Sequence, residues 1–285
     1  MWACEIKADS LHPDYPDNRL TTVVATYPRV IHAEFLTHRV FSRNAASSRA
    51  IPTAKLIEQV EQYPYIPEEW GANKPGMQAG EPVIDFIADA SSREWRRART
   101  EAVKYAKRLD AYVVHKQWVN RLLEPFSWIT TVITGNEWGG FFALRDNPQA
   151  MPEMQRLARM LREAIAGSTP KRLDHGQWHL PFVDAEEAKE WSTERCKWVG
   201  AGRLARVSYL THDGERDPSK DVALAERLAA ERPIHASPFE HIATPRKPGG
   251  VPNNTPGWRQ MRQDVESQVQ SGDPVAESAA KARHG

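Results

Sequence analysis

The chain has 285 residues and a formal net charge of +1, with 38 Lys and Arg against 37 Asp and Glu. It is long enough for one or two domains with a sizeable core. Its mean hydropathy is −0.62, and it has no run of about 18 apolar residues of the kind that spans a bilayer. The two cysteines, Cys4 and Cys196, lie far apart and form no Cys-x-x-Cys pair, which excludes a disulfide framework or a cysteine zinc site. The opening MWACEIKADS has neither the basic nor the apolar region of a signal peptide. Balanced charge removes the bulk case for a nucleic-acid coat or a membrane-surface protein. The expectation is a globular, cytoplasmic protein.

The first strong element is LTTVVATY, Leu20 to Tyr27, β-branched and stopped by Pro28, which reads as a strand. Residues 29 to 41 place Val30, Ile31, Phe35 and Leu36 at helical spacing before a polar stretch. Thr53 opens a short helix with Leu56, Ile57 and Val60 on one face. The Pro- and Gly-rich segment from Tyr63 to Glu81 reads as a loop or lid. From Ser91 to about Leu123 runs a long amphipathic helix, or two. Its apolar stripe is Ala102, Tyr105, Ala106, Leu109, Tyr112 and Val113. The opposite face, from Arg93 to Arg108, is basic. It reads either as a solvated face partly paired with Glu94 and Glu101, or as a surface for phosphate or a partner. After Pro125, SWITTVIT is an apolar β-branched run. Two further helices follow: Met151 to Ile165, with Met154, Leu157, Ala158, Leu161 and Ile165 inward, and Asp221 to Glu231, with Val222, Ala225, Leu228 and Ala229 inward. From Thr244 the sequence turns to Pro, Gly and polar residues and reads as a tail, mobile or wrapped on a neighbouring subunit.

The densest polar cluster is THRVFSRNAASSR, Thr37 to Arg49. Arg supplies a rigid fork of donors matched to phosphate, and Ser and Asn add neutral donors. The cluster therefore suits a phosphorylated, heteroatom-rich ligand, although a solvated loop is the plainer alternative. HASPFEH, His235 to His241, holds two histidines and a glutamate that could transfer protons, touch a ligand or bind a metal. In EWGGFFALR, Gly139 and Gly140 permit close backbone approach, and Arg145 ends the run. HGQWH, His175 to His179, has histidines at i and i+4 but lacks the glutamate of a zinc-protease helix, so no metal site is read there.

THRVFSRNAASSR is similar to the signature Arg-His-Arg-x-x-Ser-x-Asn-x-x-Ser-x-Arg of the flavin-dependent thymidylate synthases, which methylate C5 of dUMP using reduced FAD and methylenetetrahydrofolate. ARVSY, Ala205 to Tyr209, resembles the family's Ala-Arg-Val-Ser-Tyr, and HASPFEH its His-x-Thr-Pro-Phe-Glu-His. FFALR resembles its Phe-Leu-Asn-Leu-Arg, and RLLEP, Arg121 to Pro125, an Arg-x-x-Leu-Pro segment. Together these segments span most of the chain between residues 20 and 245. Their order differs from the family's, because the segments that usually come first here come last. LTTVVATY takes the place of the strand that follows Pro-Phe-Glu-His. This points to a circular permutation, which folds tolerate where the old termini lie together on the surface.

The resemblance implies an α+β fold with a helix-rich body around an antiparallel sheet, in permuted order. Residues 1–245 would form a single catalytic domain and residues 246–285 a flexible tail. It implies flavin contacts at His38, Arg39, Ser42, Asn44, Asn136, Ser208 and Ser237, and dUMP contacts at Glu34, Ser47, Ser48, Arg49 and, across a subunit boundary, Arg121. Arg145 would lie against the uracil and stabilise charge as N3 ionises, and His235 near the folate and the reacting carbon. Implied partners are FAD, methylenetetrahydrofolate, NADPH as a reductant, dUMP, and three further copies in a homotetramer; membrane and nucleic acid are not among them. Departures accompany this: Thr37 replaces the first Arg, Ala45 the usual Glu and Glu34 the usual Gln, while Thr134 and Gly140 stand where flavin-touching Asn residues are expected. The phosphate-binding arginines are better kept than the flavin contacts. Two products are therefore open, dTMP by methylation or 5-hydroxymethyl-dUMP if water rather than hydride completes the transfer. The alternatives are a catalytically silent nucleotide-binding homologue, or a nucleic-acid-binding module using the basic 93–108 helix.

Overall fold

The computed structural model describes residues 1–209, 217–247 and 253–271, without the side chains of 208, 209 and 269–271. Its centre is a five-stranded sheet of β1 (Ala3–Leu11), β2 (Arg19–Pro28), β3 (Ser42–Ala45), β4 (Trp128–Gly135) and β5 (Lys171–Arg172), in the order β3-β4-β2-β1-β5. Every pairing is antiparallel except that of β1 with β5. The strand read from sequence, β2, and the β-branched run after Pro125, which forms β4, pair within it, in register from Thr21 opposite Gly135 to Pro28 opposite Trp128. Their near-continuous apolar and β-branched composition follows from burial on both faces. Val23, Ala25, Tyr27, Ile129 and Ile133 face one core with Phe35, Phe41, Phe141, Met154, Leu157 and Leu161. The period-two alternation turns Val132 to the other core, with Trp198, Leu204, Val222, Leu228 and Phe239.

The helices are segregated accordingly. The first face carries α1 (His32–Phe35), α5 (Gly139–Arg145) and α6 (Pro152–Ala166); the second carries α7 (Ala185–Glu190), α8 (Thr193–Tyr209) and α9 (Pro218–Ala230). A third cluster forms where α2 (Thr53–Gln62) packs on α3 (Asp85–Ala111) and on Val119 of α4 (Lys116–Val119). The fold is α+β, as the motifs imply. Among the described residues no helix is long and apolar enough to cross a membrane.

Several expectations change. The helical spacing over 29–41 yields only a 3-10 turn and the single turn α1, because Ser42–Ala45 is drawn out as β3 against β4. The long helix starts earlier than read and ends at Ala111, where Val113 takes a positive φ of 60°. Its stripe is turned: Val103 and Ala106 are buried, whereas Tyr105, Tyr112 and Val113 are exposed. On its basic face Arg97 pairs with Glu94, Lys104 with Glu101, and Lys107 with Glu61 of α2. The tail expected from 246 is packed through much of its described part. β6 (Ala243–Pro245) pairs with β7 (Trp258–Gln260), and α10 (Met261–Ser271) follows. Trp258 is fully buried against Leu20, Leu173 and Ala243, and Met261 and Val265 join the second core. Burying an indole and two aliphatic side chains outweighs the ordering entropy of a short segment.

A neutral polar chain crosses the second face. Ser10 Oγ meets His179 Nδ1 at 2.9 Å, and His179 Nε2 meets Thr22 Oγ1 at 2.8 Å. Thr22 bonds Thr134 at 2.6 Å, and Thr134 bonds His241 Nδ1 at 2.7 Å. Burial pushes both imidazoles down to about 3. His179 and His241, each flagged by a sequence motif, are thus structural hydrogen-bonding groups rather than proton-transfer groups.

Candidate functional site

Three of the sequence motifs converge on THRVFSRNAASSR. The Asn44 side chain donates to the Leu204 carbonyl of α8 at 2.7 Å, and Ser237 Oγ donates to Asn44 Oδ1 at 3.3 Å. Asn44 therefore ties the ARVSY helix to the HASPFEH turn across more than 150 residues of chain. From the other side, Arg145 at the end of FFALR donates Nε–H to His38 Nε2 at 2.8 Å and ion-pairs with Glu34. The segments scattered by the altered order are neighbours in space.

The convergence creates a cavity of 550 Å³, the size of a small-ligand site, lined by Asn44, Ser47, Arg49, Ala50, His115, Gln117, Ala205, Leu228, His235, Ser237 and Pro238. No carboxylate is among the lining residues, and among the described residues none pairs with the Arg49 guanidinium. His235 Nε2 lies 2.9 Å from Glu231 on α9. The apolar wall of Ala205 and Leu228 depends on the close approach of α8 to α9. A Cβ at Gly202 would stand 2.1 Å from the Asp221 carbonyl oxygen, so only glycine admits that packing. Charge holds the same contact: the buried Arg203 donates Nε–H to Asp221 at 3.2 Å and Arg206 donates to it at 2.5 Å, while a fork of bonds of 2.6 and 2.7 Å ties Arg203 to Glu187 of α7. The Arg of ARVSY is thus a scaffold residue.

Of the residues singled out from sequence, Asn44, Ser47, Arg49, His235 and Ser237 line the cavity. Arg145, His38 and Glu34 form a separate cluster that does not contribute to the lining. There, burial and the Arg145 and Arg43 guanidiniums hold His38 below its ordinary value. Arg39 is exposed. Three further residues of the expected set sit away from this lining. Ser42 is buried under β7 and accepts bonds from Asn254 and Gln260, at 3.0 and 3.1 Å. The Asn136 side-chain amide donates to Asn18 Oδ1 and to the Pro256 carbonyl, each at 2.8 Å, while its Oδ1 is buried with no partner among the described residues. Ser48 is 4% exposed and turned into the body, with its carbonyl accepting from Asn120. For Ser42 the segment past residue 245 meets the hydroxyl, for Asn136 that segment and Asn18 meet only the amide nitrogen, and for Ser48 burial rather than a side-chain bond sets it apart. Arg121 is largely exposed, 3.8 Å from Glu124, and is not on the lining. The Ser208 side chain lies outside the described residues.

Sequence reasoning missed His115 and Gln117. Both follow the point where the apolar stripe of α3 breaks, and that break is the only trace they leave in the sequence.

No family model matches the chain, and no curated protein sequence matches it. Among solved structures it is similar in part to the UMP/dUMP methylase PolB from Streptomyces cacaoi. The form bound with 5-Br dUMP is 16% identical, covers 53% of this chain and 68% of that one, and has a TM-score of 0.42. The form bound with 5-Br UMP is 15% identical, covering 58% and 89%, with a TM-score of 0.44. The flavin-dependent thymidylate synthase ThyX from Helicobacter pylori, complexed with FAD and dUMP, is 17% identical, covering 52% and 68%, with a TM-score of 0.35.

Proposed function

We propose that the chain is a flavin- and folate-dependent one-carbon transferase acting at C5 of dUMP, giving dTMP or 5-hydroxymethyl-dUMP, in the cytoplasm of a bacterium or of a phage-infected host. The observation that carries this reading is the meeting of Asn44, Ser47 and Arg49 with His235 and Ser237 on one cavity, next to the ARVSY helix. The arrangement joins an unpaired guanidinium, suited to a nucleotide phosphate, to an apolar wall of Ala205, Leu228 and Pro238, suited to a ring.

The polar groups that would meet one edge of a flavin are Asn44, Ser237 and His235, and each already has a partner within the chain, Asn44 with the Leu204 carbonyl and Ser237, and His235 with Glu231. The set is smaller than the resemblance implies, because Ser42 and Asn136 sit away from this lining. A bound reduced flavin supplies a hydride, the chemistry that separates a methyl from a hydroxymethyl product. Methylenetetrahydrofolate is the carbon donor in this reading, and NADPH the reductant. The chain's own residues bind and orient: Arg49 and Ser47 hold the phosphate, and Ala205, Leu228 and Pro238 keep water from the ring. A thiolate route at C6 is poorly supported, since burial pushes Cys4 up to about 11 and raises Cys196 as well. Arg145 and Arg121 stand off this cavity, so their proposed roles need a second copy to bring them to it. That makes the active form a homo-oligomer, a tetramer by resemblance.

The neutralisation of Arg145 by Glu34 favours a second reading, a silent dUMP-binding homologue. Mass spectrometry of the nucleotide after incubation with FAD, a reductant, methylenetetrahydrofolate and dUMP separates them. A methyl or hydroxymethyl product supports the transferase and names its product, whereas bound but unreacted dUMP supports the silent homologue. A chain that neither binds nor changes dUMP refutes both.

A further inference from the structure

The cavity has a wall that no motif explains. After Ala111 the chain reverses at Val113, a β-branched residue in the left-handed region that ordinary residues avoid. The reversal lays residues 115–120 against the loop that carries Arg49. Three hydrogen bonds clamp the two segments together. Lys116 Nζ donates to the Ala50 carbonyl at 3.1 Å, and the fully buried Asn120 donates to the carbonyls of Ser48 at 2.7 Å and Ile51 at 2.9 Å. His115 and Gln117 are thereby fixed on the same cavity as Arg49.

The local bonding also sets the imidazole tautomer. The backbone N–H of Gln117 donates to His115 Nδ1 at 3.2 Å. A backbone amide can only donate, so Nδ1 carries the lone pair and the ring proton lies on Nε2. His115, whose ring N–H is a donor, therefore lines the same cavity as a guanidinium without a partner among the described residues, with no carboxylate on the lining to compete for either.

We infer that His115 is a phosphate-binding residue, its Nε2–H pairing with Arg49 to grip the phosphate of the nucleotide bound in this cavity. The inference rests on the nucleotide reading of the cavity and adds to it a residue from outside every motif. It assigns the phosphate to the Arg49–His115 end and leaves the Leu228–Pro238 wall to the ring. A phosphate contact through His115 matters to a nucleotide and not to the corresponding nucleoside, which gives the inference its test.

Binding of dUMP and of deoxyuridine is measured by calorimetry on the full chain, for wild type, His115→Ala and His115→Asn. Loss of one charge-assisted hydrogen bond weakens dUMP by about tenfold in His115→Ala and leaves deoxyuridine unchanged. Asn keeps a side-chain oxygen that can accept from the Gln117 amide, and its amide donors stop about 2 Å short of the Nε2 position. His115→Asn is therefore expected to weaken dUMP to the same extent as Ala. Full recovery of dUMP binding in His115→Asn would show that the residue acts only by holding its own turn, and overturns the inference. So does equal loss of nucleotide and nucleoside in His115→Ala, or no loss at all. Wild-type protein that binds no dUMP overturns the nucleotide reading and this assignment with it, whereas tight wild-type binding with an indifferent His115→Ala overturns the assignment alone.

Discussion

The thirteen residues from Thr37 to Arg49 divide at Asn44 into two regions of opposite character. Before it, His38 and Arg43 meet partners inside the chain, and only the exposed Arg39 has none among the described residues. Arg145 is held by Glu34 and His38, and Arg43 donates to the carbonyls of Leu36 and His38. His32 joins the Tyr27 hydroxyl at 2.8 Å. Beyond Asn44, Ser47 and Arg49 face an open cavity, and Arg49 has no partner among the described residues. One motif thus supplies both a closed cluster whose worth is structural and an open one whose worth is in binding. The difference lies in what the tertiary fold brings opposite each residue, since the residue types are the same on both sides.

Lowering the pH should strike the closed region hardest. Burial, with the neighbouring Arg29 and Arg43, pushes His32 down to about 4, and His38 is lowered in the same way by burial, Arg145 and Arg43. The unfolded chain protonates both near the ordinary value of 6.5, so below that pH the unfolded state binds more protons. The stability these residues contribute is complete above pH 6.5 and is lost as pH falls toward 4. His32 alone accounts for about 2–3 kcal/mol at pH 4.5. Urea midpoints at pH 7.5 and 4.5 check this: His32→Gln should narrow the gap between them by that amount, and an unchanged gap would break the comparison.

The open region should respond to ligand and hardly to unfolding. Arg49→Ala is expected to weaken dUMP by about 2 kcal/mol, between tenfold and a hundredfold. Its unfolding free energy should stay within about 0.5 kcal/mol of wild type, because among the described residues Arg49 makes no hydrogen bond or ion pair to lose. Calorimetry and thermal melts read the two quantities separately. A large stability loss would place Arg49 in the closed class.

The smallest effect sharpens the boundary. Glu34→Gln keeps an acceptor for Arg145 but removes its charge, in a pair that is 17% and 35% exposed on its two sides. The expected loss is about 1 kcal/mol of stability, read from the urea midpoint, with dUMP binding unchanged. Weakened dUMP binding in that variant would mean that Arg145 already serves the cavity.

Where periodicity was strong, the sequence was a good guide. α6 buries Met154, Leu157, Ala158 and Leu161, and α9 buries Val222, Ala225, Leu228 and Ala229, as their spacing predicts. Where burial depends on a partner, it was not. α8 carries Lys197, Arg203 and Arg206, and its apolar contrast is blunted. Arg203 can be buried only because Glu187 and Asp221, distant in sequence, neutralise it. β1 reads as polar because Glu5, Lys7 and Asp9 alternate with Cys4, Ile6 and Ala8 along it, and the strand is identified by its register with β2. Trp258 sits in a Pro- and Gly-rich stretch that resembles a tail, and only the slot between Leu20, Leu173 and Ala243 makes it core.

By itself the sequence determined the α+β class, the β-branched segments that become β2 and β4, and the group of motifs whose chemistry suits a phosphorylated ligand. Those rest on local periodicity and residue chemistry, which survive a change in segment order. The tertiary structure alone decided which of the motif residues are available. Ser42 accepts from the segment after residue 245, the Asn136 amide donates to it, Arg145 pairs with Glu34, and a chain reversal at Val113 brings His115, which no motif contains, to the cavity. A polar side chain can satisfy its hydrogen bonds with ligand or with protein, and its choice is set by neighbours that arrive from elsewhere in the chain.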